Sequence, residues 1–429
     1  MMSITITMTT KLSILTILLL ASSPLHSEEL LGDISVESDK EEQEESLSYC
    51  YIHNVKALSK RKGAGETLGD YLSGELGVES ATYGSAVGRP TVHGMEGYRV
   101  GIVQGGVMLN DLSAMSQDHA VGLNAKVAEH LELVKGPASL LYGSYSGGVV
   151  RTLGEEHKAK LSKGFSAEAS LSTNSDTGKG TANFKAEYGN EDYSGYINYY
   201  KNEAGNYSSG GKEVQNSDTI SEQIHAVLGW KATENTTVKV YADTMDKEYG
   251  VPNTTDKRTD ILMEQKRYGV VVHNQELGKL KNVKTEYQFS DYRHFEREGI
   301  SYDGAFDQEQ QSLSTAFDFT VNEMDGNFRA ELLKNDLKVC HEHGECDKFT
   351  TASRTSATDG LSLQNYYNDR GIAYSHGHPM PNVEEEKLQM GVNLKRYYDE
   401  DELSLAVNTV VRKLTPDSSN IQETWLMPT

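Results

Sequence analysis

Beyond about Lys160, apolar and polar residues alternate in one short segment after another, and this period of two restricts the possible folds more than any other feature of the sequence. Alternation places apolar side chains on one face of a β-strand and polar side chains on the other. Short turns such as 189–192 alternate with long polar connections such as 207–217 and 339–386, as expected for antiparallel hairpins with unequal loops. We predict strands within residues 165–171, 182–188, 193–199, 225–230, 237–242, 285–289, 314–319, 327–333, 388–394 and 403–411.

Two folds fit these alternating segments equally well. In a transmembrane β-barrel the apolar face meets lipid and the polar face lines a wet lumen, whereas in a soluble secreted β-sandwich or adhesin the apolar face forms a core. After Ala21 no stretch approaches the roughly 18 consecutive apolar residues of a membrane-spanning helix, so a membrane location would require a barrel. The composition, with 39 Gly, 24 Tyr and 37% hydrophobic residues, is that of a β-rich chain with many hairpins.

The chain begins with a pattern typical of a secretory signal peptide, which we place at residues 1–27. Lys11 supplies a positive charge, and the apolar run from Leu12 to Ala21 has the length of a signal-peptide core and is too short to cross a bilayer. We expect cleavage after Ser27; a buried N-terminal helix is the alternative. The three cysteines of an exported chain permit at most one disulfide within it.

Residues 28–60 have the composition of a linker. The acidic run from Glu37 to Glu45 predicts an unfolded segment. A short extended apolar motif precedes this run, and such a motif is suited to strand addition at the exposed sheet edge of a partner, with an ordinary solvated linker as the alternative. The motif consists of Asp33, Ile34, Ser35 and Val36.

Residues 61–155 have the texture of one small, compact α/β domain rich in glycine turns. The segment 67–72 predicts a short amphipathic helix, and the apolar runs 98–104 and 131–134 predict strands. From Glu132 to Gly143 the residue types predict a strand, a Gly-Pro turn and a one-turn helix, and a further glycine turn then leads into a strand ending near Val150.

Two long motifs in this domain resemble the plug signature of TonB-dependent outer-membrane receptors. The first runs from Gly88 to Val100, and the second comprises 134–143 with 147–150. The resemblance implies an antiparallel transmembrane β-barrel over 156–429 with an N-terminal α/β plug domain, in the outer membrane of a Gram-negative bacterium. It also places Asp33 to Val36 at the family's TonB-contacting box, so the TonB energy-transducing complex and outer-membrane lipid are the expected partners.

Within that family the sequence is most similar to ZnuD-type zinc receptors, over roughly residues 30 to 320. The similarity lies in Asp111 to Val121 of the plug and in the barrel segments 249–252, 263–268 and 291–298. In receptors of this type an Asp-His pair of the plug holds the metal together with carboxylate and imidazole groups from the barrel, and Asp118 and His119 match that pair. The resemblance therefore implies Zn²⁺ as the transported ligand.

The chain departs from the family in length. The family's plug is followed by about 22 strands of roughly 9 to 11 residues each, whereas the residues after Val150 suffice for about ten to twelve. The end of the chain, Glu423 to Thr429, also lacks the family's alternating terminal strand with its final aromatic residue. An open half-barrel would leave unpaired backbone groups in lipid, so we expect a partial barrel, truncated relative to a working receptor.

The residues themselves also predict metal binding by Asp118 and His119. A carboxylate beside a neutral imidazole in a polar apical loop is a half-site that zinc accepts readily, and further ligands must come from elsewhere in the lumen. The alternative is that Asp118 caps a turn and His119 faces solvent. On the barrel His294, Glu296 and Glu298 are candidates, although strand alternation would turn some of them away, and we include Glu298 in the predicted metal set.

A second cluster of metal-ligand residues lies in the long connection 339–386. Outside the cell Cys340 and Cys346 should pair as a disulfide, and the resulting ring would present several imidazole and carboxylate groups together. Such a loop is suited to capturing zinc or nickel before it passes inward; a stapled hydrophilic loop tip without ligand is the alternative. The predicted ligands of this loop are His341, Glu342, His343, Glu345, His376 and His378.

The net charge of −22 repels nucleic acid and favours a cationic ligand. No nucleophile-base spacing or phosphate loop stands out, so we expect no enzymatic activity and no catalytic cofactor. The leading hypothesis is energised import of a transition-metal ion, zinc first. Nickel, haem or a ferric chelate as cargo, a remnant that no longer transports, and a secreted metal-scavenging or adhesive β-protein are the alternatives.

Overall fold

The structure, a computed structural model, consists of a small α/β unit packed against one large antiparallel sheet. It describes residues 3–8, 52–54, 67–109, 111–114, 116–143, 145–173, 177, 180–252, 258–321, 324–340, 355–357, 383–398 and 401–416.

Among its described residues the α/β unit has one short α-helix, α1, over Leu68–Leu72. Thr67 caps this helix, because its side-chain oxygen accepts a hydrogen bond from the backbone amide of Asp70 at 3.2 Å. Leu68, Tyr71 and Leu72 are buried in the core of the unit. The strands of the unit are β2 Ile52–Asn54, β3 Val78–Tyr83, β4 Val87–Val92, β5 Val100–Gln104, β6 Val107–Met108, β7 His130–Val134 and β8 Gly148–Leu153.

Five of these strands form one sheet in the order β2-β7-β8-β5-β6, in which β5 and β8 run parallel. β3 and β4 form a separate hairpin. The predicted helix after the Gly-Pro turn is a 3-10 helix over Gly136–Leu141, and further 3-10 turns lie at Gly97–Arg99, Ala125–Val127 and Glu155–His157. The strand β2 lies before residue 61, where the sequence places the start of this domain.

The large sheet is an antiparallel meander in which almost every strand pairs with its neighbours in sequence. Its strands are β1 Ser3–Met8, β9 Gly164–Thr173, β10 Gly180–Gly189, β11 Tyr193–Ala204, β14 Thr219–Thr233, β15 Thr236–Gly250, β16 Thr259–Leu277, β17 Leu280–Glu298, β18 Ser301–Val321, β19 Met324–Cys340, β20 Thr355–Ala357, β21 Val383–Tyr398 and β22 Asp401–Pro416. They are hydrogen-bonded in the order β1-β9-β10-β11-β14-β15-β16-β17-β18-β19-β21-β22, and β20 pairs with β19. Within the described residues no pairing joins the first strand to the last.

A small hairpin, β12 Ser208–Ser209 and β13 Lys212–Glu213, extends the connection before β14. The first strand, β1, pairs with β9 and lies within the segment that the sequence assigns to a signal peptide. No helix among the described residues is long and apolar enough to span a membrane.

The polar faces of the strands point toward the α/β unit and the apolar faces point away from it. On β14 Ser221, Gln223 and His225 are buried, whereas Ile224 and Leu228 are 42% and 64% exposed. A soluble β-sandwich would bury the opposite face, so the burial pattern agrees with a wall between lipid and an occupied lumen.

Each segment that the alternation predicts lies in a strand, but the strands are longer than predicted and β16 was missed. Alternation in β16 is interrupted at 261–263 and 270–272, where three apolar residues follow one another. On β18 the prediction covered only 314–319 of 21 residues, because residues 307–312 before this segment are polar on both faces.

Candidate metal site

The first ligand of the candidate site, His119, lies on the α/β unit in the loop between β6 and β7. The residue is buried, and its Nδ1 donates a hydrogen bond to the carbonyl oxygen of Leu112 at 3.1 Å. A carbonyl oxygen can only accept, so this bond places the ring proton on Nδ1 and leaves Nε2 facing the sheet.

Two more ligands come from β17 of the sheet. His294 and Glu296 lie two positions apart, so strand geometry turns both toward the same side. The ring of His294 is fully buried and its Nδ1 lies 3.0 Å from the hydroxyl of Tyr292. Nε2 of His294 has no hydrogen-bond partner, and a buried polar atom without a partner costs about 1–3 kcal/mol. That cost is removed when a ligand occupies the position in front of Nε2.

These three side chains converge on one point between the α/β unit and the sheet. Nε2 of His119 lies 3.2 Å from Oε1 of Glu296, and Nε2 of His294 lies 3.7 Å from the same oxygen. The three ligand atoms all lie within 4.8 Å of one another. Phe306 packs edge-on against both imidazole rings, with ring centroids 6.0 Å and 5.2 Å away. Two imidazole nitrogens and one carboxylate oxygen in an apolar wall are a donor set that suits a divalent transition metal with an open fourth position.

The electrostatics of His119 favour a positive charge at its Nε2, whether a proton or a metal ion supplies it. Burial by itself lowers the pKa of His119, but the hydrogen bond to Glu296 and the negative charges of Glu296 and Asp118 outweigh it and raise the pKa above its ordinary value. Because Nδ1 is already committed to Leu112, the additional proton resides on Nε2, between the ring and the carboxylate. A metal ion that binds there must displace this proton.

The structure places Asp118 beside this three-residue group but not in it. The side chain of Asp118 is half-buried, and its carboxylate accepts a hydrogen bond from the hydroxyl of Ser116. Glu298 is the last residue of β17 and is likewise outside the group. Cys340 ends β19, but its side chain is outside the described part of the structure. Other predicted residues that lie outside the described residues are Asp33, Ile34, Ser35, Val36, His341, Glu342, His343, Glu345, Cys346, His376 and His378.

The sequence contained a signal for the sheet-side pair, namely the His-x-Glu spacing a few residues after the predicted strand 285–289. The alternation did not reveal which face of β17 points inward, because both faces carry charged residues near its end: Arg293 and Arg297 on one, His294, Glu296 and Glu298 on the other. Only the pairing with β16 and β18 fixes that choice.

Known proteins match this chain in two ways. The model of the family described as TonB-dependent Receptor Plug Domain matches residues 52–150. Among solved structures, the copper transporter OprC has a TM-score of 0.67 at 15% identity, with 85% of this chain and 55% of that one covered. The FrpB iron transporter of Neisseria meningitidis in its apoprotein form has a TM-score of 0.63 at 11% identity, with 86% of this chain and 60% of that one covered.

A third similar structure, the siderophore receptor PirA of Pseudomonas aeruginosa, has a TM-score of 0.56 at 13% identity, with 85% of this chain and 57% of that one covered. The chain thus spans somewhat more than half the length of these solved structures. At these identities the likeness concerns the fold. Residues 52–150 form a plug domain of the TonB-dependent receptor type, and the antiparallel sheet packed against it has the fold of the barrels of these receptors.

Proposed function

We propose that this chain is an outer-membrane receptor that imports a transition-metal ion, zinc first, into the periplasm of a Gram-negative bacterium. The observation that carries the proposal is the group of His119, His294 and Glu296, whose ligand atoms lie within 4.8 Å of one another. Such a set coordinates a bare ion directly. A siderophore or haem presents a metal whose coordination is largely filled, so it would gain little from three convergent donors.

The site is divided between the plug and the wall, and this division suggests how the ion is released. His119 belongs to the plug, whereas His294 and Glu296 belong to β17. A movement of the plug that withdraws His119 leaves two donors instead of three and lowers the affinity for the ion. We propose that the TonB complex provides this movement by pulling on the segment that contains Asp33, Ile34, Ser35 and Val36.

The apolar face of the sheet and the long loop after β19 also have roles in the proposed function. The exposed apolar residues of the sheet, such as Ile224 and Leu228, would face outer-membrane lipid. The loop with Cys340 and Cys346 would collect ions outside the cell through His341, Glu342, His343, Glu345, His376 and His378. Imidazole nitrogen also suits nickel and copper, and the solved relatives named for copper and iron make these ions the second candidates.

Calorimetric titration of the full chain, refolded in detergent, with Zn²⁺, Ni²⁺ and Cu²⁺ tests the proposal. We expect one high-affinity site at the plug for zinc, and a loss of at least about 100-fold in affinity in His119→Ala, because a direct ligand contributes more than the 10–100-fold typical of an outer-shell partner. His130→Ala is the matched control, since His130 is another plug histidine with a carboxylate, Glu132, 3.8 Å away. Equal affinities of the two variants would contradict the assigned site.

Uptake of radioactive zinc by cells that produce the chain tests the transport step. Ile34→Pro should abolish uptake without changing zinc affinity, because proline cannot donate a backbone hydrogen bond to an added strand. Ile34→Val is the control that keeps the strand. Uptake that is unaffected by Ile34→Pro would separate this chain from TonB-driven import.

A further inference from the structure

The loop that carries His119 contacts the sheet through one tyrosine hydroxyl. Tyr249, near the end of β15, is 1% exposed and packs in the same apolar cluster as Leu112 and Ala120 of the plug. Its hydroxyl accepts a hydrogen bond from the amide of Ala120 at 2.9 Å and donates one to the carbonyl oxygen of Asp118 at 3.0 Å. The two backbone groups flank His119 on either side.

This contact satisfies two backbone groups at the interface of the plug and the sheet. A buried amide or carbonyl group without a partner is unfavourable, so each of the two hydrogen bonds favours one position of the loop over its alternatives. The ring of His119 is held separately, through Nδ1 and the carbonyl of Leu112. Backbone and ring together fix where Nε2 of His119 points.

The register of the sheet relates Tyr249 directly to the sheet-side ligand. Tyr249 pairs with Ile261 of β16, and Ile261 pairs with Glu296 of β17. The tyrosine and the glutamate therefore lie in one row across three hydrogen-bonded strands, about 10 Å apart at the usual strand spacing. Such a row is rigid, so the position at which Tyr249 holds the loop also sets the separation between His119 and Glu296.

We propose that Tyr249 is a positioning residue of the metal site, which holds the plug loop in register with the wall so that His119 joins His294 and Glu296 around one ion. This inference rests on the proposed function. Tyr249 itself does not touch the ion. It determines whether the ion finds three donors at once, and its two hydrogen bonds must break when the plug moves away from β15.

Tyr249→Phe tests this role, because phenylalanine keeps the buried ring and removes only the hydroxyl. Tyr241→Phe is the matched control, because Tyr241 lies eight residues earlier on β15 and is also buried. Its hydroxyl proton is shared between Oε1 of Glu286 at 3.1 Å and Oε1 of Gln288 at 2.9 Å, both within the sheet. Both variants lose hydrogen bonds of similar number and burial, so a structural effect alone lowers the melting temperature of both.

Two measurements on the refolded full chain distinguish positioning from stability. We expect Tyr249→Phe to weaken zinc binding about 10-fold, the lower end of what outer-shell partners contribute, and to change the visible absorption spectrum of bound Co²⁺, which reports ligand geometry. Tyr241→Phe should leave both unchanged. An unchanged affinity and spectrum in Tyr249→Phe would overturn the inference.

The same titration separates failure of the inference from failure of the proposed function. If His119→Ala abolishes zinc binding while Tyr249→Phe binds as the wild type does, the site stands and only the role of Tyr249 is overturned. If the wild-type chain does not bind zinc, nickel or copper at His119, the proposed function and the inference are overturned together.

Discussion

The candidate metal site near the C-terminal end of β17 and a second group of acids and imidazoles elsewhere between plug and sheet are built from the same residue types but are paired differently. The second group, here called the seam network, joins the end of the plug to the sheet through alternating carboxylates and imidazoles. Successive contacts along it measure 3.0, 2.8, 3.1 and 3.3 Å. Its members, in order, are Asp243, His225, Glu156, His157 and Glu286.

The two groups differ in whether their nitrogen atoms are already occupied. In the seam network both ring nitrogens of each histidine face carboxylates, and all five side chains are at most 3% exposed. In the metal site Nε2 of His294 has no hydrogen-bond partner and Glu296 is 26% exposed. A network whose imidazole nitrogens are all occupied holds two parts of the molecule together, whereas an imidazole nitrogen without a partner can accept a ligand.

The charges within the seam network indicate that it holds the plug against the sheet. Burial alone would raise the pKa of Glu156, but the charges of His225 and His157 hold it well below its ordinary value. Burial likewise lowers the pKa of His157, yet Glu156 and Glu286 outweigh it and raise that pKa. The carboxylate of Glu156 and the imidazolium of His157, both in the plug, are therefore stabilised by the charges of His225 and Glu286 in the sheet.

The largest effect that we expect comes from breaking the seam network. His225→Ala leaves Glu156 and Asp243 without the imidazole between them, and removal of one partner of a buried ion pair costs about 3–5 kcal/mol. Chemical unfolding of the full chain should show this loss, while zinc affinity stays within about threefold of the wild type, or 0.65 kcal/mol. His273→Ala, on β16 and outside the network, is the control. A stability loss below about 1 kcal/mol in His225→Ala would show that the seam network is not formed.

The next largest effect should be on zinc affinity, with little change in stability. Glu296→Gln removes the carboxylate that both histidines of the metal site face, so zinc affinity should fall by about 100-fold, which corresponds to 2.7 kcal/mol, while the unfolding free energy changes little. Calorimetric titration measures the affinity, and Glu298→Gln, two positions along the same strand face, is the control. If the control loses as much affinity as Glu296→Gln, the sheet-side ligands have been misassigned.

As the pH rises above neutrality, the zinc affinity of the candidate metal site should increase, whereas the stability contributed by the seam network should decrease. Because the pKa of His119 is raised, zinc competes with a proton there, and affinity should rise up to about tenfold for each pH unit until that pKa is passed. The contribution of His157 to stability is complete below the pKa of an unfolded histidine and is lost as pH rises through its raised folded value. On the acid side, the contribution of Glu156 is lost only when pH falls through its lowered folded pKa.

Zinc titrations and unfolding curves between about pH 5 and 9, a range that spans ordinary histidine pKa values, test this opposition. His119→Ala removes the proton competition and serves as the control for the binding curve. If affinity and stability rise together over the upper half of this range, the two groups are not distinct in the way their pairing indicates.

The smallest effect should come from Asp118. Its carboxylate is half-buried and is hydrogen-bonded to Ser116 outside the three-residue group, so Asp118→Asn removes only a nearby negative charge. A partly exposed charge of this kind contributes about 0.2–1 kcal/mol, which corresponds to a loss of about 1.4- to fivefold in zinc affinity. A loss as large as that of Glu296→Gln would place Asp118 among the direct ligands, as the sequence comparison implies.

The sequence predicted the strands well and one residue of the candidate site in the plug, for physical reasons that differ. Alternation reveals strands because burial on one face repeats every two residues, whereas the resemblance at residues 111–121 and the adjacent Asp-His pair singled out His119. The seam network had no local signal: Glu156 and His157 look like a polar linker, and their partners from the sheet lie at residues 225 and 286. Which strand face points inward on β17, and which side chains meet across the seam, are decided by pairing over long sequence distances.

The meander order of the sheet has a consequence for the kinetics of assembly. From β14 to β19 each strand pairs with the next along the chain, so these hairpins close short loops, whereas plug contacts join distant positions, 177 residues apart for His119 and Glu296 and 223 for Gly106 and Arg329. We expect the hairpins to form first and the plug contacts last. Substitutions at those contacts then accelerate unfolding and leave the folding rate nearly unchanged. The contacts with the plug therefore determine the lifetime of the folded protein rather than the rate at which it folds.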